Sequence, residues 1–270
     1  MTILSAADAA VFETFVAPKY LSYFAELALG AMLEADGAKI AHLGCRTGFP
    51  DAALAERFPL GFIVGTDPSA AAIDLARAKA VTVHGARLEY EVSELPTSFP
   101  ARSFSHALCI HPFAPRADDR GRLFAECARL IASSGQVVVA LPLRGSFQEL
   151  YDLAREYALK YDANDVGRAM ESSILHRPNI ESLSQELAAV GFEDVDVELH
   201  RALVPFDGGR DLLEDPAVRL LVLPELAHQA DEHVDLERAL RYVRDAVDRY
   251  WAEEHFELTL NIGVATGRIY

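Results

Sequence analysis

The sequence predicts an α/β protein built on a doubly wound, seven-stranded, mostly parallel sheet, with helices before the sheet and a helical addition before its last strand. Three observations predict it. Short apolar runs of strand length alternate with helix-periodic segments between residues 39 and 141. The first run ends in a glycine-containing turn, and the second ends in an acid, Asp67. Alternation of this kind is the pattern of βαβ units, whose crossovers make neighbouring strands parallel.

Residues 8–34 carry Phe12, Phe15, Tyr20, Phe24 and Leu27 at helical spacing, and Pro18 should divide them into two helices. The first strand is 39–43 (KIAHL), followed by a helix over 50–57. The second strand is 62–66 (FIVGT), and an Ala-rich helix over 69–79 follows with Ser69 as its N-cap. Strands over 88–92 and 103–110, a helix over 118–131, a turn at Ser133-Ser134-Gly135 and a strand over 136–141 complete the alternation. Helices over 146–160 and 179–190 come next, the second closed by Gly191 as a C-cap would close it. The stretch 192–200 alternates like a strand, 209–253 reads as a helical pair, and 256–265 is the last strand. The chain is thus expected to form one domain, 1–270: an N-terminal helical cap (1–36), a Rossmann-like core (37–205), a helical addition (206–254) and a last strand (255–270).

The chain carries 41 acidic against 25 basic residues, a formal net charge of −16. Neutralising phosphates takes clusters of Lys and Arg, so a nucleic-acid partner is not expected. The three cysteines, Cys45, Cys109 and Cys127, show no Cys-x-x-Cys spacing. No metal site and no disulfide framework follow from them, and a reducing compartment suits them. The first residues hold Asp8 and Glu13 rather than a basic region before an apolar stretch. That does not read as a signal peptide, and no run is long enough to span a bilayer, so a cytoplasmic protein is expected.

The chemistry concentrates at strand ends. The first strand runs into His42-Leu43-Gly44-Cys45-Arg46-Thr47-Gly48. Glycines after the first strand let a ligand approach the backbone, and an acid about 20 residues on, here Asp67, can hold both hydroxyls of a ribose. Open α/β sheets bind ligands at the carboxyl ends of their strands. The same residues have structural readings: turn glycines, and an Asp67 that caps the next helix.

On these residues the chain resembles a class I S-adenosylmethionine-dependent methyltransferase of the small-molecule type. His42 stands where the family's loop has an acid, Gly44 and Gly48 take its outer glycines, and Arg46 replaces its middle one. Glu91-Val92-Ser93-Glu94-Leu95-Pro96 resembles the third motif, with Glu91 placed to accept from an adenine amino group. Ser103-Phe104-Ser105 resembles the start of strand four with Ser105 in place of Asp, and Glu126-Cys127-Ala128-Arg129 resembles the helix before strand five. Phe15-Val16-Ala17-Pro18 resembles a segment that packs over the cofactor. The resemblance implies S-adenosylmethionine as cofactor, held by His42, Gly44, Cys45, Arg46, Gly48, Asp67, Pro68, Glu91, Val92 and Cys109. Arg46 should point away from the cleft or meet a carboxylate there, such as that of the cofactor's methionyl group; the alternative is a salt bridge to Asp67 or Glu91 that closes the site. His111, just after strand four, is the expected general base, since histidine titrates near neutrality.

The resulting expectation is methyl transfer to a small-molecule or lipid-like acceptor. The alternative is an inactive methyltransferase-fold protein that binds or scaffolds a partner, or a second copy of itself, through the helical addition. That addition contains the apolar run Leu220-Leu221-Val222-Leu223. A nicotinamide-dependent oxidoreductase fits less well, because the loop lacks Gly-x-Gly-x-x-Gly.

Overall fold

A computed structural model describes residues 3–114, 116–230 and 234–270. Its core is a seven-stranded sheet in the order β3-β2-β1-β4-β5-β7-β6. The strands are β1 (Lys39–Leu43), β2 (Phe62–Asp67), β3 (Arg87–Val92), β4 (Phe104–Ile110), β5 (Ile131–Pro142), β6 (Glu193–Phe206) and β7 (Phe256–Arg268). Pairing is parallel from β3 through β2, β1 and β4 to β5, and the sheet as a whole is mostly parallel with one antiparallel hairpin. The helices are α1 (Ala6–Val11), α2 (Ser22–Ala31), α3 (Asp51–Arg57), α4 (Ala70–Ala80), α5 (Ala117–Leu130), α6 (Gln148–Lys160), α7 (Asn164–His176), α8 (Ile180–Ala189), α9 (Gly209–Glu214), α10 (Leu223–Gln229) and α11 (Leu236–Tyr250).

The chain divides into two compact units. The first holds the residues up to Leu141 with Ile180–Leu199 and Gly263–Tyr270, and the second holds Pro142–Asn179 and His200–Ile262. In the first unit the strands are apolar because helices cover both faces: Ile40, Ala41 and Leu43 of β1 and Val137, Val138, Val139 and Ala140 of β5 are all fully buried. Helix α4 lays Ala72, Ile73 and Ala76 on that core. In the second unit α11 buries Ala239, Val243, Ala246 and Val247, one stripe at helical period. Leu221 and Val222 of the apolar run are buried there too. These two serve the unit's own core, while Leu220 and Leu223 are half-buried.

Three expectations are corrected. Pro18 does not break the N-terminal helix. A wide-turn π-helix, Phe12–Leu21, joins α1 to α2 and contains Pro18, since a π segment reroutes the ladder where proline supplies no N–H. The expected turn at Ser133-Ser134-Gly135 lies inside β5 as an irregularity, with a register shift against β4 and Ser134 at φ 65°. Helix α7 has no counterpart among the expected elements. Its buried apolar positions are Val166, Ala169 and Met170, while Ile174 is half-buried and Leu175 exposed.

The ends of the strands are tied down by polar contacts. Ser105 accepts from the Lys39 N–H at 2.9 Å and donates to the Lys39 carbonyl at 3.0 Å, zipping β4 to the start of β1. Behind β3, Thr97 donates to Glu126 Oε1 through its N–H (2.9 Å) and its hydroxyl (2.6 Å), and Arg129 donates to the same carboxylate. This network anchors the β3–β4 connection to α5, and so fixes one wall of the site.

Candidate functional site

The loop after β1 is folded by its own backbone. The Gly44 and Cys45 N–H groups both donate to the Thr66 carbonyl, at 2.8 and 3.0 Å, and the Gly48 N–H donates to the Cys45 carbonyl at 2.8 Å. Gly44 and Gly48 take φ of 69° and 75°, the left-handed region that suits glycine. A Cβ on Gly44 would meet nothing within 4 Å, whereas one on Gly48 would lie 2.9 Å from Tyr90 Oη and 3.0 Å from Ala76 Cβ. Gly44 therefore presents bare backbone to open space. Gly48 is a packing residue, where the loop crosses under β3 and α4.

Gly44 opens into a cavity of about 270 Å³ at the carboxyl ends of the strands. Its wall includes Thr66 and Pro68 after β2, Ser93 and Leu95 after β3, and Pro112 after β4. The two expected β3 residues are placed differently: Glu91 and Val92 end the strand exposed. The segment after them, Ser93-Glu94-Leu95, supplies the wall.

Asp67 is 3% exposed. Its Oδ1 accepts from the Ser69 N–H at 2.9 Å and its Oδ2 from the Arg46 N–H at 3.2 Å. The acid thus starts α4 and holds the loop, and a carboxylate with about four acceptor sites keeps capacity for a ligand hydroxyl. Burial raises its pKa, against the opposing pull of the Ser69 N–H and Arg46.

His42 does not face the cavity. It is 1% exposed, and its Nδ1 lies 2.7 Å from Oδ1 of a fully buried Asp51. Asp51 also accepts from the Tyr90 hydroxyl at 2.9 Å. Burial and Asp51 together push the Tyr90 hydroxyl well above its usual pKa. Cys45 packs with Ile73, Ala76 and Tyr90, and burial raises its thiol strongly. Cys109 is fully buried with its Sγ 3.7 Å from that of Cys127 on α5. The side chains of His42, Cys45 and Cys109 are packed against neighbouring elements and do not line the cavity: in a sheet covered on both faces, an inward-facing strand residue such as His42 or Cys109 meets a helix.

Arg46 turns inward. At φ 48° it holds a left-handed conformation, a region that favours glycine. Its Nη2 donates to the His111 carbonyl at 2.7 Å and its Nη1 to the Ile110 carbonyl at 3.4 Å. The guanidinium carbon sits 5.3 Å from the centre of the Phe12 ring. The side chain thus meets main-chain carbonyls at the end of β4.

His111 itself is 4% exposed, at φ 45°. Its N–H donates to the Ala140 carbonyl at 2.7 Å. Its Nε2 is 3.1 Å from the Tyr20 hydroxyl, and the Tyr20 and Phe24 rings meet it edge-on. Phe12, Tyr20 and Phe24 cover this end of the sheet; of the segment Phe15-Val16-Ala17-Pro18, Val16 and Ala17 are buried and Phe15 is about half exposed. The reach of Tyr20 to His111 spans 91 positions and has no local signal.

Comparison with known proteins agrees with this architecture. The family described as a methyltransferase domain matches residues 40–135. No curated protein matches the sequence. Among solved structures, the YcgJ protein of Bacillus subtilis is 13% identical, with 92% of this chain and 97% of that chain covered and a TM-score of 0.56. The phosphoethanolamine N-methyltransferase 2 of Haemonchus contortus, solved with phosphomonomethylethanolamine and S-adenosylhomocysteine, is 16% identical. There 98% of this chain aligns to 57% of that chain, with a TM-score of 0.57. The cyclopropane synthase MmaA2 of Mycobacterium tuberculosis is 15% identical over 90% of this chain and 82% of that one, with a TM-score of 0.53. At these identities the likeness is one of fold. Among the described residues no helix is long and apolar enough to cross a membrane.

Proposed function

We propose that residues 40–135, which match a methyltransferase domain, form a class I S-adenosylmethionine-dependent methyltransferase domain, and that the chain transfers the methyl group of S-adenosylmethionine to a small-molecule or lipid-like acceptor. The observation that carries this is Gly44: left-handed, without a Cβ, and open to the cavity where β1, β2 and β3 end. A bare backbone at that place is a cradle for a nucleoside, and Asp67 beside it retains acceptor capacity for the ribose. The wall of Thr66, Pro68, Ser93 and Leu95 suits the flat, weakly polar face of a base. The cavity volume lies just short of the ~300–1,000 Å³ of ligand pockets.

S-adenosylmethionine, when bound, supplies a methyl group already activated by the sulfonium. The protein's part is then placement and water exclusion. The N-terminal helices supply the cover, through Phe12, Tyr20 and Phe24. His111, under that cover and hydrogen-bonded to Tyr20, is the group placed to take a proton from a hydroxyl or carbon-acid acceptor. The excess of acid over base argues for a small acceptor rather than a nucleic acid.

A second reading, a binding module without turnover, is favoured by one observation, the guanidinium of Arg46 lying across the β4 end. Calorimetric titration with S-adenosylmethionine and S-adenosylhomocysteine decides between them. Saturable binding below millimolar concentration supports the enzyme. Absence of binding by both at millimolar ligand sinks it and leaves the module.

A further inference from the structure

The sheet order reverses its direction of growth between β1 and β4. From β1 the chain builds outward through β2 to β3, then returns to place β4 on the other side of β1. The crevice between the carboxyl ends of two such strands is the topological switch point, where open α/β sheets admit ligands. Arg46 crosses it. Its backbone belongs to the β1 loop and is held to Asp67, while its guanidinium is held to the last carbonyls of β4 and the residue after it. Phe12 covers the outer side. Hydrogen bonds from a charged donor are among the stronger kind.

Two consequences follow. The carbonyls of Ile110 and His111 point out of the strand end, where a ligand's donor would use them, and Arg46 uses them instead. A fixed positive charge also sits at the crevice, where a second cation is repelled. The cavity runs from Gly44, Thr66, Pro68, Ser93 and Leu95 to Pro112, Phe113 and Ala114 after β4, and Arg46 borders this loop without lining the cavity. A nucleoside seated there lies along the loop backbone at Gly44, two positions from Arg46.

We infer that Arg46 is the specificity gate of this site: it leaves the nucleoside cavity open, occupies the switch-point crevice, and must be displaced by any ligand whose tail carries a donor or a positive charge into that crevice. The inference rests on the proposed cofactor reading.

The test compares wild type with Arg46→Gly. Glycine suits the left-handed φ and keeps the N–H that binds Asp67, so the loop folds as before. Each form is titrated with S-adenosylmethionine, which carries the sulfonium and the amino-acid tail, and with methylthioadenosine, which lacks both. The gate predicts that Arg46→Gly binds S-adenosylmethionine about tenfold more tightly or better, with methylthioadenosine changed by less than about twofold. Unchanged or weaker binding of S-adenosylmethionine overturns the gate, because Arg46 is then a ligand contact or a bystander. Equal gains for both probes overturn it too, because the whole loop is then altered. A second measurement needs no ligand. Amide hydrogen exchange at residues 44–48 and 111–113 should quicken in free Arg46→Gly, since the clamp between loop and strand end is gone. Unchanged exchange rejects the clamp. Faster exchange with no binding of either probe to either form leaves the clamp standing and rejects the cofactor reading.

Discussion

His42 and Asp51 form a buried pair, Nδ1 to Oδ1 at 2.7 Å, with 1% and 0% of their side chains exposed. The acid absent from the end of β1 is supplied nine positions later, from the first turn of α3. Because Asp51 also accepts from Tyr90, one carboxylate joins β1, α3 and β3 beneath the loop. Replacing it with Ala leaves an imidazole and a phenol without this partner in a dry interior. Asp51→Ala is expected to cost about 3 kcal/mol or more of stability, read by urea denaturation. A loss under about 0.5 kcal/mol would mean that the pair does not hold the loop.

The two loop glycines separate packing from binding. Gly48→Ala puts a Cβ against Tyr90 and Ala76 in a left-handed backbone, and should destabilise the fold by about 2 kcal/mol or more. Gly44→Ala carries only the backbone cost, about 1 kcal/mol, but pushes a methyl group toward the cavity. It should lower S-adenosylhomocysteine affinity well beyond its effect on melting temperature. Equal affinity in Gly44→Ala and wild type would move the ligand away from this loop.

Asp67→Ala removes the acceptor of two N–H groups and of any ribose hydroxyl. Nucleoside binding should weaken about tenfold or more, with a stability loss of about 1–3 kcal/mol from the freed N–H groups. Calorimetry on the folded variant measures the first, and thermal unfolding the second. Unchanged affinity would place the ribose elsewhere.

Glu126 predicts an acid-sensitive element. Burial alone would raise its pKa, but hydrogen bonds from Arg129 and Thr97 outweigh burial and hold it below the ordinary carboxylate value. A depressed carboxylate adds stability that is present above its unfolded pKa and is lost as pH falls through the lower folded value. Glu126→Gln should therefore be less stable than wild type at neutral pH by about 1–3 kcal/mol, with the gap closing in acid. Denaturation curves at neutral pH and near pH 3 test this, and a constant gap would rule out the linkage.

The proposed base is tested by His111→Asn. If His111 removes the acceptor's proton, turnover should fall about a hundredfold while cofactor affinity stays within about twofold. Tyr20→Phe, which removes the Nε2 partner, should shift the pH profile of turnover without abolishing it. Equal loss of turnover and of cofactor binding in His111→Asn would assign His111 to packing instead.

The alternation of strand and helix, the β1 strand at residues 39–43, the glycine turn after it and the acid closing β2 were all legible in the sequence. Each is a local pattern, set by burial period, turn chemistry and strand length, and a parallel α/β sheet follows from their order. Where the side chains of these elements go was decided by tertiary structure. Both faces of the sheet are covered, so apolar periodicity does not distinguish a strand residue facing the crevice from one facing a helix. His42, Cys45 and Cys109 all turned out to face the packing. Pro18 reads locally as a break, yet packing across Phe12–Leu21 accommodates it within a π-helix. Arg46 is the plainest case. The sequence marks it as out of place, but its direction depends on carbonyls 64 and 65 positions away and on the Phe12 ring, contacts that exist only once β4 lies beside β1 and the N-terminal helix closes over both.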